Sequence, residues 1–96
     1  MSVVTVVAKL VVKEEALAKV KAELLQLIDP TRQETGCLEY RLHQDNNDPR
    51  VFIFFENWEN MGCLERHIAA PHYKHYIAAV DGLIEEKTVH KMTCIA

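Results

Sequence analysis

The side chains best suited to chemistry cluster around one apolar run. Val51-Phe52-Ile53-Phe54-Phe55 leads into Glu56-Asn57-Trp58, His67 follows nine residues later, and Pro71-His72-Tyr73 comes next. Side chains alternate along a strand, so Glu56 and Trp58 project to the side of Phe52 and Phe54. One reading is a plain strand end, with Glu56 reaching solvent and Trp58 capping the core. The other is a pocket wall with a carboxylate in an aromatic setting. Burial there would raise its pKa and suit it to act as a base or a hydrogen-bond partner.

His67 follows Met61 and Leu64 and precedes Ile68, which puts it on the apolar stripe of a helix. It is either a satisfied core residue or the lining of a cavity between helix and sheet. A neutral imidazole in such a cavity can take a proton from an acidic hydroxyl near neutral pH. His72 and His75 share a helix face. No carboxylate or cysteine stands near them at a recognised ligand spacing, so no metal site is expected. His43 shares a strand face with Glu39 and Arg41, either in a polar network at the dimer interface or as a substrate-binding residue. His90 reads as a strand residue without a special role.

Other chemistries are poorly served. The 3 glycines are scattered, which leaves no phosphate-cradling loop and no flavin or nicotinamide fingerprint. Ser2 is the only serine, so a serine nucleophile on an elbow is excluded. Cys37, Cys63 and Cys94 are odd in number and widely spaced. They read as reduced structural thiols of a cytoplasmic protein, Cys63 included despite its place near a helix start.

These side chains need elements to position them. Residues 3–12 are rich in valine and read as a strand. From Lys13 the period becomes helical through Leu17, Val20, Leu24, Leu27 and Ile28; Pro30 kinks or restarts the helix, and Gly36 ends it. Residues 37–45 alternate, with Leu38, Tyr40 and Leu42 on one side. A turn over 45–49 joins them to the strand 51–58. Asn60 caps a helix through Ala69, Pro71 opens another that ends by Gly82, and 86–95 form a last strand.

The order is β-α-β-β-α-β in a single domain, 1–96. It predicts an α+β, ferredoxin-like fold with a four-stranded antiparallel sheet and its helices on one face. The strand 51–55 is apolar on both sides, yet helices cover only one. The second face predicts a homodimer packed sheet to sheet. A net charge of −3 with scattered basic residues gives no footprint for nucleic acid. No stretch is long and apolar enough to span a membrane, and the first residues lack the pattern of a signal peptide.

Gly36-Cys37-Leu38-Glu39-Tyr40, Glu56-Asn57-Trp58, Leu64 with His67, and Pro71-His72-Tyr73 together resemble the antibiotic biosynthesis monooxygenase family, in its small quinol monooxygenase-like branch. The resemblance spans nearly the whole chain. It implies a dimeric α+β barrel with one pocket per subunit. It also implies oxidation of a quinol or polycyclic phenol by molecular oxygen without flavin, haem or metal. Under it, His67 is the base or polar anchor, and Glu56 orients it. Trp58, Tyr40 and Phe54 wall the pocket, while His72, Tyr73 and Tyr76 line its mouth or bond the ring oxygens. The haem-degrading branch fits poorly. Its first strand carries an asparagine, which residues 3–12 lack, and His67 stands where its helical tryptophan belongs. Two alternatives share the fold: an enzyme for a small carbonyl signalling molecule, and a non-catalytic dimeric ligand-binding or stress protein.

Overall fold

The structure, a computed structural model, describes residues 2–96; Met1, the first residue of the expected domain, lies outside them. Strand β1 (Val4–Val12) is followed by a short 3-10 turn (Glu14–Ala16) and helices α1 (Leu17–Gln26) and α2 (Ile28–Arg32). Strands β2 (Cys37–Gln44) and β3 (Val51–Trp58) form the hairpin. Helices α3 (Met61–Ala69) and α4 (Pro71–Ala79) precede β4 (Ile84–Met92). The sheet is antiparallel in the order β2-β3-β1-β4, the ferredoxin-like arrangement expected from the element order.

Alternation sets the core. Val4, Val6, Ala8, Leu10 and Val12 of β1 and Phe52, Phe54, Glu56 and Trp58 of β3 are buried under the helices. Val20, Leu24 and Leu27 pack against them from the first helical region, and Cys63, Leu64 and Tyr76 from the second. Val51, Ile53 and Phe55 project to the opposite face and are half-buried. No helix among the described residues is long and apolar enough to cross a membrane.

Three local details depart from the pattern read in the sequence. The first helix breaks at Leu27 rather than at Pro30. Pro30 falls in the first turn of α2, where its missing N–H costs no helical bond. Leu38 does not share the inner face with Tyr40. Cys37 pairs with Trp58 and Glu39 with Asn57, so Leu38 bulges out and is 56% exposed. The last strand starts at Ile84 and stops at Met92, earlier at both ends than expected. Gly36 and Gly82 both adopt positive φ, 83° and 77°, at the turns into β2 and β4.

Candidate functional site

A cavity lies between the inner face of the sheet and α3 and α4. Tyr40, Phe54, Glu56, His67, Tyr73 and Tyr76 all line it, with apolar walls from Val6, Ala8, Leu10 and Leu64. Its volume is about 60 Å³. That is room for about four or five waters, well below the several hundred Å³ of a pocket that encloses a drug-sized ligand.

His67 is 3% exposed and boxed in by rings. Its centroid lies 4.8 Å from Trp58, 4.9 Å from Tyr73 and 5.5 Å from Tyr40. Its Nδ1 is 2.7 Å from Glu34 Oε2. The same oxygen lies 2.6 Å from His72 Nε2. A carboxylate accepts and cannot donate, so each imidazole presents N–H to it. This fixes the tautomer of His67: Nδ1 carries hydrogen, and Nε2, which has no hydrogen bond among the described residues, keeps its lone pair. Burial pushes the His67 pKa below its usual value, against the upward pull of Glu34, so the ring is neutral.

Glu34 was not singled out in the sequence. It lies in the polar turn between α2 and β2, where a lone Glu carries no pattern. Local bonding holds it in place. Glu34 N donates to Thr31 O at 3.0 Å, and Cys37 N donates to Glu34 O at 3.2 Å. Arg32 forks onto Tyr40 O with bonds of 3.1 and 2.9 Å, which ties α2 to β2. Gly36 O accepts from Glu59 N at 2.8 Å. An added Cβ at Gly36 would collide with Cys63 Sγ, so glycine is required both for φ and for close approach.

Glu34, not Glu56, is therefore the carboxylate that orients His67. Glu56, 5% exposed, accepts the indole N–H of Trp58 at 2.9 Å. Burial pushes its carboxyl up to about 7, against the indole bond, which favours the ionised form. Tyr40 and Tyr76 are raised far above the ordinary phenol range, mainly by burial, and remain hydrogen-bond donors. Burial also raises the Cys37 thiol, with Glu34 and Glu56 adding to the effect.

The remaining expected site residues divide. Trp58 is fully buried and backs His67 rather than lining the cavity. Phe54 is a wall, and Tyr73 and Tyr76 lie at the helix side. His72 stands behind His67, joined to it through Glu34. His43 is a correction: it pairs with Ile53 on the exposed face of β2 and is no part of the cavity. It is three residues from Tyr40, an odd number, so alternation turns it outward. Its neighbour Glu39 belongs to an outer-face network with Arg41 at 2.7 Å and Asn57 at 2.9 Å, and Thr5 bonds Asn57 at 2.6 Å.

Folding thus brings to His67 and His72 the carboxylate that sequence spacing had not offered. Among the described residues, Glu34, His67 and His72 are the group whose donor atoms lie close enough to share a metal ion. Separations of 2.6 and 2.7 Å are those of hydrogen bonds. Ligands bonded to one ion at about 2.0–2.2 Å stand more than about 3 Å apart. The geometry is that of a hydrogen-bonded His–Glu–His cluster.

Residues 3–79 match the family model described as antibiotic biosynthesis monooxygenase. A Mycobacterium tuberculosis protein named "Putative monooxygenase Rv0793" is 34% identical over 83 residues, 86% of this chain and 81% of that protein. The uncharacterized Synechocystis protein sll1783 is 30% identical over 69 residues, 72% of this chain. The match spans about half, 47%, of that protein's length. Among solved structures, PA3566 from Pseudomonas aeruginosa superposes with a TM-score of 0.95 at 28% identity, covering 100% of this chain and 97% of that one.

Proposed function

The chain belongs to the antibiotic biosynthesis monooxygenase family, and on that premise we propose that it is a cofactor-independent monooxygenase that oxidises a quinol or phenol with molecular oxygen. One observation carries this reading: a neutral His67, locked by Glu34 with Nε2 unbonded, lines an apolar, aromatic-walled cavity. Ground-state oxygen reacts poorly with closed-shell organic molecules but takes an electron from the anion of an electron-rich quinol or polycyclic phenol. The protein's task is to make that anion and keep bulk water away.

His67 Nε2 removes the phenolic proton. Glu34 stabilises the imidazolium that forms. Glu56, with its carboxyl near 7, is partly protonated at neutral pH and donates a hydrogen bond to the developing oxyanion. Electron transfer to oxygen, recombination at a ring carbon and loss of water from the hydroperoxide give a quinone. One oxygen atom enters the product and the other leaves as water. The cavity volume favours a single ring inside; a polycyclic phenol at the upper end of the expected class requires the rim to open.

The test is oxygen uptake with reduced benzo- and naphthoquinols in the presence of chelator, measured against uncatalysed autoxidation. Acceleration by the wild type, reduced about 10²–10⁴-fold in His67→Ala, supports the reading. No acceleration across the panel overturns it.

The small volume, with two histidines and two carboxylates at or beside it, favours a second reading: an enzyme that moves a proton on a small carbonyl compound. It predicts solvent-deuterium incorporation into such a compound without oxygen uptake. In either reading we propose that the protein works as a homodimer through the outer sheet face.

A further inference from the structure

The cavity has a cationic rim that the reactions above do not use. On β4, Lys91 pairs with Val6, Val89 with Ala8 and Lys87 with Leu10. All three partners are buried on the helix side of β1. Paired residues share a face, so Lys91, Val89 and Lys87 project toward that side, and all three line the cavity. β4 is exposed along almost its whole length, so the cavity opens past it. The lysine stems extend the apolar wall while the ammonium groups reach the rim.

Neither ammonium has a carboxylate partner among the described residues. Lys87 Nζ makes one long bond, 3.5 Å, to Tyr73 Oη, which places it against the ring beside His67. The chain as a whole carries −3, so the rim is no sample of a basic surface. The cavity volume of about 60 Å³ holds little more than a ring. A substituent that leaves the cavity on the β4 side passes within reach of these two cations.

We propose that Lys87 and Lys91 form a subsite for an anionic substituent, so that the substrate is a hydroxylated aromatic ring bearing a carboxylate or a comparable anion. The inference rests on the reading of the cavity as the active site. The ring hydroxyl points inward to His67 and Glu56 while the anion stays at the mouth. Ion pairs at an exposed rim are weak singly, so two together are worth about five- to tenfold in affinity. They weaken as salt screens them.

The test pairs 2,5-dihydroxyphenylacetate with its methyl ester, which has the same ring and no charge. Binding is measured by calorimetry under nitrogen and oxygen uptake separately in air. The expected result is tighter binding of the acid by about five- to tenfold at low ionic strength. That ratio shrinks in high salt and falls to near one in the double variant Lys87→Gln, Lys91→Gln. Equal or tighter binding of the ester by the wild type overturns the proposal, as does an acid preference that survives the double variant. Preferential binding of the acid without accelerated oxygen uptake would leave the anion subsite standing and count against the monooxygenase reading, which falls when the quinol panel also gives no uptake. Binding of neither compound would overturn the anion subsite.

Discussion

At the scale of single residues, two ionisable groups in one cavity are pushed in directions that suit opposite tasks. Burial lowers His67, which stays neutral and basic, and raises Glu56 to about 7, which stays partly protonated. The pH dependence of kcat/KM should therefore be bell-shaped. Its acid limb lies below the ordinary histidine range and its basic limb near 7. Glu56→Gln should remove the basic limb; a limb that persists would exclude Glu56 as the donor. Glu34→Gln removes the charge that pulls the His67 pKa upward. The acid limb should move to lower pH and the rate should fall by about tenfold or more. The same groups act on stability. An acid whose pKa is higher folded than unfolded stabilises the fold fully below about 4.5, and that contribution is lost as pH rises through about 7. Stability should decline across this window by at most about 1.4 kcal/mol per pH unit from this group. His67 acts oppositely, because its lowered pKa favours the fold above the ordinary histidine value and costs stability below it. Denaturant titrations of wild type and Glu56→Gln should run together below about 4.5, diverge as pH rises to about 7 and stay apart above it, with the variant the more stable.

At the scale of elements, most of the architecture was legible because alternation and helical period report burial directly. Phe52, Phe54, Glu56 and Trp58 lie on one face of β3 as alternation requires, and His67 lies on the buried stripe of α3. Asn60 caps that helix, its side chain accepting from Cys63 N at 3.0 Å. What could not be read depends on events that period does not encode. A bulge removed Leu38 from the inner face, and a turn held by backbone bonds carried Glu34 beneath His67 across 33 residues of sequence. The place of the β4 lysines is set by a register that period does not encode, which puts them over Val6 and Leu10. The turn that positions Glu34 depends on Gly36. Gly36→Ala meets both a positive φ and Cys63, whereas Gly82→Ala meets only the φ. The second should cost about 1 kcal/mol and the first clearly more, with a lower Tm and, where folded protein remains, a lower rate. Equal losses would show that the contact with Cys63 is readily relieved.

At the scale of the whole molecule, the sheet is covered on one face only. Val7 pairs with Phe55 across β1 and β3, and with Ile53 and Val51 they form a half-buried apolar stripe on the open side. A stripe of this kind is self-complementary under a two-fold axis, and such an interface needs about 800 Å² from each partner. Light scattering at micromolar concentration should give the mass of two chains for the wild type and of one for Ile53→Lys, Phe55→Lys. A monomeric wild type would dismiss the dimer and leave the cavity reading untouched. The chain contains 1 tryptophan, and that residue, fully buried, lies 4.8 Å from the His67 ring and bonds Glu56. All ultraviolet emission excited at the red edge of the indole band therefore originates beside the proposed acid and base. Imidazolium quenches indole, so an intensity titration should follow protonation of His67 with no substrate, label or known turnover. His67→Ala should abolish its acid step. The protein carries its own optical electrode at the point where its chemistry is proposed to occur.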